Sequence, residues 1–111
     1  MSGSYEVVSG AQVLLDNGVV DGVIVMGVLI KGDTMHFEYI SEAVTQGVMR
    51  LNIDYKMPVV YGVLSVFNEE QAKQRAGMMG ESSHNHGVDW GNTVVESIAL
   101  KKKYQCYKKV R

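Results

Sequence analysis

Between Ser4 and Gly18 the apolar positions Val7, Val8, Ala11, Leu14 and Leu15 recur at helical spacing, and Asn17-Gly18 carries the turn chemistry on which a helix stops. The next run, "GVIVMGVLI", is almost continuously β-branched or aliphatic, which predicts a strand covered on both faces. Helical spacing returns with Phe37, Ile40, Val44, Val48 and Leu51, and the small residues Ala43 and Gly47 beside that stripe allow close packing on a sheet. Pro58 opens "PVVYGVLSVF", a second strand of the buried kind. Asn68 then begins "NEEQAKQRAG", with Gln71 three residues on as a capping-box partner and Gly77 as the stop. After a polar loop, "MMGESSHNHG", a last helix is predicted from about Asp89, striped by Trp90, Val94, Ile98 and Ala99. No internal repeat is visible. Helix, strand, helix, strand, helix, helix reads as α/β with a parallel sheet joined by crossovers. Two parallel strands do not make a stable doubly wound sheet, so further strands are expected from another chain or from a longer domain.

Composition narrows the partners. A chain of 111 residues, 46% hydrophobic, suits one domain with a modest core. Its formal net charge of −1 gives the whole molecule no field to gather nucleic acid or an anionic membrane. The charge is uneven, because "KKKYQCYKKVR" at 101–111 holds six of the 11 basic residues and no acid. That run, with its interleaved tyrosines, has the look of a nucleic-acid tail, but such runs at a terminus are more often solvated extensions. The single cysteine, Cys106, rules out an intrachain disulfide. The start "MSGSYEVVSG" lacks the features of a signal peptide, and the longest apolar run is too short to cross a bilayer. A soluble, cytoplasmic protein is the expectation, with no membrane and no nucleic-acid partner.

Candidate chemistry concentrates in "IKGDTMHFEYI". Gly32 and Thr34 stand where a strand turns into a helix, so free backbone N–H groups and the helix dipole favour an anion there. On the residues alone, an ordinary N-cap is the better reading of Thr34. His36, at the helix entrance, suits proton transfer near neutral pH, against the alternative of a packed or surface histidine. Glu38, two residues on, faces away from His36 on a regular helix. Lys31 adds charge or is simply an exposed strand-end lysine. Arg75 offers a planar guanidinium to a phosphate, or else sits on a solvated face where the helix dipole favours it. Ser4 reads as an N-cap and Glu6 as a first-turn acid. Tyr61 reads as core packing. The pair His84 and His86 has no Cys, Asp or Glu set to complete a metal site, so no metal is expected.

"GSYE" opening a helix, "GVLIKGDTMHFEYISEAVTQGVMRL", "PVVYGVLSVFNEEQAKQRAG" and "HNHGVDWGNTVVES" together resemble the lumazine synthase family, in a form close to its yeast and other fungal members. The resemblance runs from Gly3 to about Leu100. It implies a flavodoxin-like three-layer sandwich in residues 1–100, followed by a basic tail at 101–111. It also implies the condensation of 5-amino-6-(D-ribitylamino)uracil with 3,4-dihydroxy-2-butanone 4-phosphate to 6,7-dimethyl-8-ribityllumazine, with small-molecule substrates, no cofactor, and homopentamers whose sites lie at subunit boundaries. By the same resemblance His36 is the catalytic group. Ser4, Tyr5, Glu6, Val28, Leu29, Ile30, Tyr61 and His86 meet the ribityl and pyrimidine parts, and Gly32, Asp33, Thr34 and Arg75 meet the phosphate. Asp33 stands where the family has a small residue, and a carboxylate there repels phosphate unless turned outward. The family has two further core strands and a helix before "GSYE", so the expectation is a domain whose N-terminal core strands are missing from this chain. The alternative to the enzyme is a catalytically inactive truncated fragment with at most a role in assembly.

Overall fold

The computed structural model describes residues 3–80 and 83–108. The end of the basic tail, 109–111, and two residues of the loop before the last helix lie outside the described residues. A short 3₁₀ turn, Ser4–Glu6, leads directly into α1, Val7–Asn17. Gly18 ends α1 at φ 68°, its N–H donating to Leu15 O, as the Asn-Gly stop predicts. Strand β1, Val23–Ile30, is followed by α2, His36–Asp54, and β2, Val59–Val66. A helix α3 of about two turns, Glu69–Arg75, and a long α4, His86–Lys108, follow. The last helix starts three residues earlier than its apolar stripe suggests, so His86 is its first residue and not part of the loop.

β1 and β2 form a two-stranded parallel sheet in which Val23 faces Val59 and Ile30 faces Val66. Helices α1 and α2 cover one face, where Val7, Ala11, Leu15, Val44, Val48 and Leu51 pack on Val23, Val25, Val59 and Val63. Helix α4 covers the other face, its Trp90 lying against Gly62 and its Val94 and Ile98 against Gly22. This is the three-layer α/β arrangement with a parallel sheet, as expected. Gly62 is required by that contact: a Cβ there would fall 2.7 Å from Val25 O and 3.0 Å from the Trp90 ring. Gly47 has the same purpose on the opposite face, where a Cβ would meet Val8 at 2.8 Å. Asn52 joins α2 to the entrance of β2, donating to Val48 O at 3.0 Å and Val59 O at 2.7 Å while accepting from Val59 N at 2.8 Å.

One sequence expectation is corrected. β2 is buried on both faces over most of its length, but β1 is not: Met26, Val28 and Ile30 are 65%, 49% and 48% exposed. The reason is topological. Helix α4 lies mainly over β2, and among the described residues β1 has a strand neighbour on one side only. Because Val23 N donates to Pro58 O and Lys31 N to Val66 O, the odd-numbered residues of β1 direct their backbone groups at β2. The even-numbered ones, from Ile24 to Ile30, direct theirs at the open edge. Among the described residues, no helix is long and apolar enough to cross a membrane.

Candidate functional site

The carboxyl ends of parallel strands are where open α/β sheets bind ligands, and a cavity of about 550 Å³ lies at that end of β1. Gly3, Ser4, Tyr5 and Glu6 from the 3₁₀ turn form one wall, Val28 and Leu29 from β1 the floor, and His36 and Ile40 from α2 the other wall. The 3₁₀ turn thus meets, in one pocket, a strand end and helix start more than twenty residues further along the chain.

What sets the 3₁₀ turn against the strand is a glycine. At Gly27 a Cβ would fall 2.6 Å from Ser4 Oγ and 3.3 Å from Ser4 Cβ. With no side chain in the way, Ser4 Oγ approaches close enough to donate to Val28 O at 3.4 Å. Ser4 therefore does not cap the helix it precedes; Gly3 is the cap residue of the 3₁₀ turn and Glu6 that of α1, each without a side-chain bond. The carbonyl it touches is one of those on the open edge of β1. Glu6 keeps an exposed carboxylate in the pocket wall, a strong acceptor for a polyol.

Lys31 to Met35 form an exposed turn between β1 and α2. Thr34 Oγ1 accepts from His36 N at 3.3 Å, which satisfies one of the free donors at the helix start, while Met35 is the formal cap residue. Gly32 and Asp33 are open to solvent, and a Cβ at Gly32 would meet nothing within 4 Å. Lys31 reaches forward from the strand end to an ion pair with Glu38 in the first turn of α2, its ammonium also 5.7 Å from the centre of the Phe37 ring. Glu38 thus faces Lys31 and not His36. Ile30 borders this turn but does not line the cavity.

The remaining candidates lie elsewhere in the chain. Tyr61 points from β2 to α2, where its hydroxyl accepts from Thr45 Oγ1 at 3.2 Å. Arg75 and His86 line a second cavity of about 280 Å³ together with Gln74 and His84. It forms because the loop after α3 turns back at Gly77, φ 77°, and bridges Ala76 to Asn85. His84 Nε2 lies 2.8 Å from Asp89 Oδ2, and the His84 and His86 rings meet edge to face at 5.3 Å. One chain therefore places the candidate acid/base group and the candidate guanidinium in separate cavities. Sequence reasoning had assigned Ile40 to the core stripe and had seen no role for Gln74 or His84. The sequence carries no signal for Gln74 or His84, since their proximity to Arg75 depends on the path of the loop.

A family model for 6,7-dimethyl-8-ribityllumazine synthase matches residues 1–102. The chain is 53% identical over 102 residues to the 6,7-dimethyl-8-ribityllumazine synthase of Schizosaccharomyces pombe, covering 92% of this chain and 62% of that protein. The protein of the same name from Pyricularia oryzae is 56% identical over 79 residues, 71% of this chain and 39% of its own length. That of Bdellovibrio bacteriovorus is 44% identical over 98 residues, 88% of this chain and 52% of its own. The chain thus spans between about two-fifths and three-fifths of the length of these curated relatives.

Proposed function

The chain belongs to the 6,7-dimethyl-8-ribityllumazine synthase family, and on that premise we propose that it serves riboflavin biosynthesis by condensing 5-amino-6-(D-ribitylamino)uracil with 3,4-dihydroxy-2-butanone 4-phosphate. The observation that carries the reading is the cavity itself. It brings Ser4, Tyr5, Glu6, Val28, Leu29 and His36 to one place, at the strand end where such folds take ligands.

In this reading the ribityl hydroxyls bind Ser4 and the Glu6 carboxylate, and the pyrimidine ring lies on Val28 and Leu29 with Tyr5 beside it. The phosphate ester sits on the backbone N–H groups of the Gly32–Thr34 turn, with Asp33 turned outward to solvent. The 5-amino group attacks the ketone carbon and forms a C–N bond, and water leaves to give the imine. Loss of a proton from the adjacent carbon expels phosphate with the C–O bonding electrons. The enol so formed takes a proton on its terminal carbon and gives up its hydroxyl proton to become a ketone. The ribitylamino nitrogen then attacks this new carbonyl, and loss of a second water closes the ring. Protons move at every step, and His36 at the pocket wall is the group that carries them. No cofactor enters this scheme.

Arg75, His86 and Tyr61 belong, in the same reading, to the site of a neighbouring copy. Their separation from the His36 cavity within one chain supports sites shared at subunit boundaries of a homo-oligomer, which the family reading makes a pentamer. Residues 1–100 form the catalytic domain and 101–111 a basic extension, and the protein works in the cytoplasm. The reading is tested by mixing both substrates with the purified chain and following lumazine absorbance. Product formation supports it. Its absence at every protein concentration leaves the second reading, a catalytically silent fragment with a role in assembly, which the open edge of β1 favours.

A further inference from the structure

The turn that would hold the phosphate has few internal restraints. Its residues are exposed, and apart from the Thr34–His36 contact it is anchored at one end by Lys31 N to Val66 O, 2.9 Å, and at the other by Tyr39 N to Met35 O, 3.1 Å. Across those two ends runs the Lys31–Glu38 ion pair. It differs from Arg50–Asp54 and Lys73–Glu69, which span one helical turn and add little, and like the exposed Lys102–Asp21 pair it joins separate segments. Lys31 and Glu38 belong to different elements, so their contact closes the loop between them. The lysine meets Glu38 Oε1, while Oε2 is buried without a hydrogen-bond partner among the described residues, so the Lys31 contact is the one that compensates a carboxylate half withdrawn from water. The negative charge in the first turn of α2 is favourable with the helix dipole, and the Phe37 ring beneath the ammonium fixes the lysine from a second direction.

We propose that Lys31 and Glu38 are positioning residues, a clasp that holds the Gly32–His36 turn in the conformation needed to present its N–H groups to a phosphate and His36 to the cavity. Neither touches the reacting atoms. The clasp neutralises the lysine, so the anion is recognised by backbone N–H groups and not by a free ammonium. The inference rests on the phosphate reading given above, and the experiment separates the two.

Inorganic phosphate is titrated into the chain, and amide exchange of His36 and Tyr39 is followed without phosphate, for wild type, Lys31→Met, Glu38→Gln and the charge swap Lys31→Glu/Glu38→Lys. The clasp predicts at least fivefold weaker phosphate binding and at least fivefold faster exchange in each single variant, with recovery to within about twofold in the swap. If Lys31 meets the anion directly, Lys31→Met weakens binding while Glu38→Gln tightens it, and the clasp is refuted. Unchanged exchange in both single variants also refutes it. A wild-type chain that binds no phosphate removes the phosphate reading, while faster exchange in the singles and its reversal in the swap still uphold the clasp.

Discussion

Adding one methyl group at Gly27 tests how the substrate pocket is built. An alanine Cβ there would fall 2.6 Å from Ser4 Oγ, so Ser4 must retreat by about 0.8 Å to reach an ordinary contact of 3.4 Å. Rotating the hydroxyl away relieves that contact but leaves Ser4 Cβ 3.3 Å from the added atom, tight enough that the turn must also give by a few tenths of an ångström. The 3₁₀ turn carrying Ser4, Tyr5 and Glu6 therefore moves off β1 and gives up the Ser4–Val28 bond. Overpacking of this size costs about 1–3 kcal/mol, and the long, exposed hydrogen bond roughly another 0.5. A cost of that size, expressed at the pocket, is about one to two decades in affinity. Gly27→Ala should thus weaken binding of the ribityl-bearing pyrimidine by about 10- to 100-fold, measured by calorimetry, with inorganic phosphate binding unchanged. Ser4→Gly removes both crowded atoms. In that background the same Gly27→Ala change should cost less than about twofold. Wild-type affinity in Gly27→Ala, or an equal loss in both backgrounds, would refute the idea that this glycine sets the pocket wall.

Other outcomes follow from single contacts. His36→Ala in a chain of full family length should lower turnover by roughly a hundredfold or more while the KM for the phosphate substrate moves only a few-fold; unchanged turnover ends the proton-transfer role. Asn52→Ala leaves both backbone groups of Val59 unpaired at a position only 5% exposed, so the urea midpoint should report a loss of about 3 kcal/mol, and a loss below about 1 would contradict the bridge. Gly62→Ala drives a Cβ against Val25 O and Trp90, and should cost about 1–3 kcal/mol that a smaller residue at 90 does not recover, because the carbonyl clash remains. The Tyr55 hydroxyl donates to Asp16, and that bond raises its pKa above the ordinary value of 10.0. A raised value means the contact's stabilisation is complete below pH 10 and fades as pH climbs through the folded-state pKa. Absorbance titration at 295 nm should find Tyr55 ionising above a free tyrosine, and Asp16→Asn should abolish the difference.

Much of the fold was legible in the residues. Gly18 and Gly77 both adopt the left-handed conformation that ends a helix, and Asn68 caps α3 by accepting from Gln71 N at 2.8 Å. The reciprocal capping bond is shifted by one residue: Gln71 Oε1 accepts from Phe67 N and not from Asn68 N, so the box closes on the last strand residue's neighbour. These are local outcomes, decided by dihedral preference and by hydrogen bonds a few residues long, which is why composition and spacing foretold them. The turn at Gly32–His36 was readable for the same reason.

Contacts between distant segments were not. An apolar run says that a strand wants burial, not how many strands lie beside it, so the exposure of Met26, Val28 and Ile30 came only from the sheet's topology. Ser4 carries the residue type of a cap, yet it donates across to Val28 O because Gly27 leaves room for it. Glu38 has the wrong helical offset to serve His36, and the end of β1 supplied the lysine it pairs with. The division of Arg75 and His86 from His36 into two cavities depends on where the loop at 77–85 turns back. Side-chain type and local spacing determined which groups were available. The relative placement of whole elements, driven by burial of the valine-rich faces on both sides of β2, decided which of them meet.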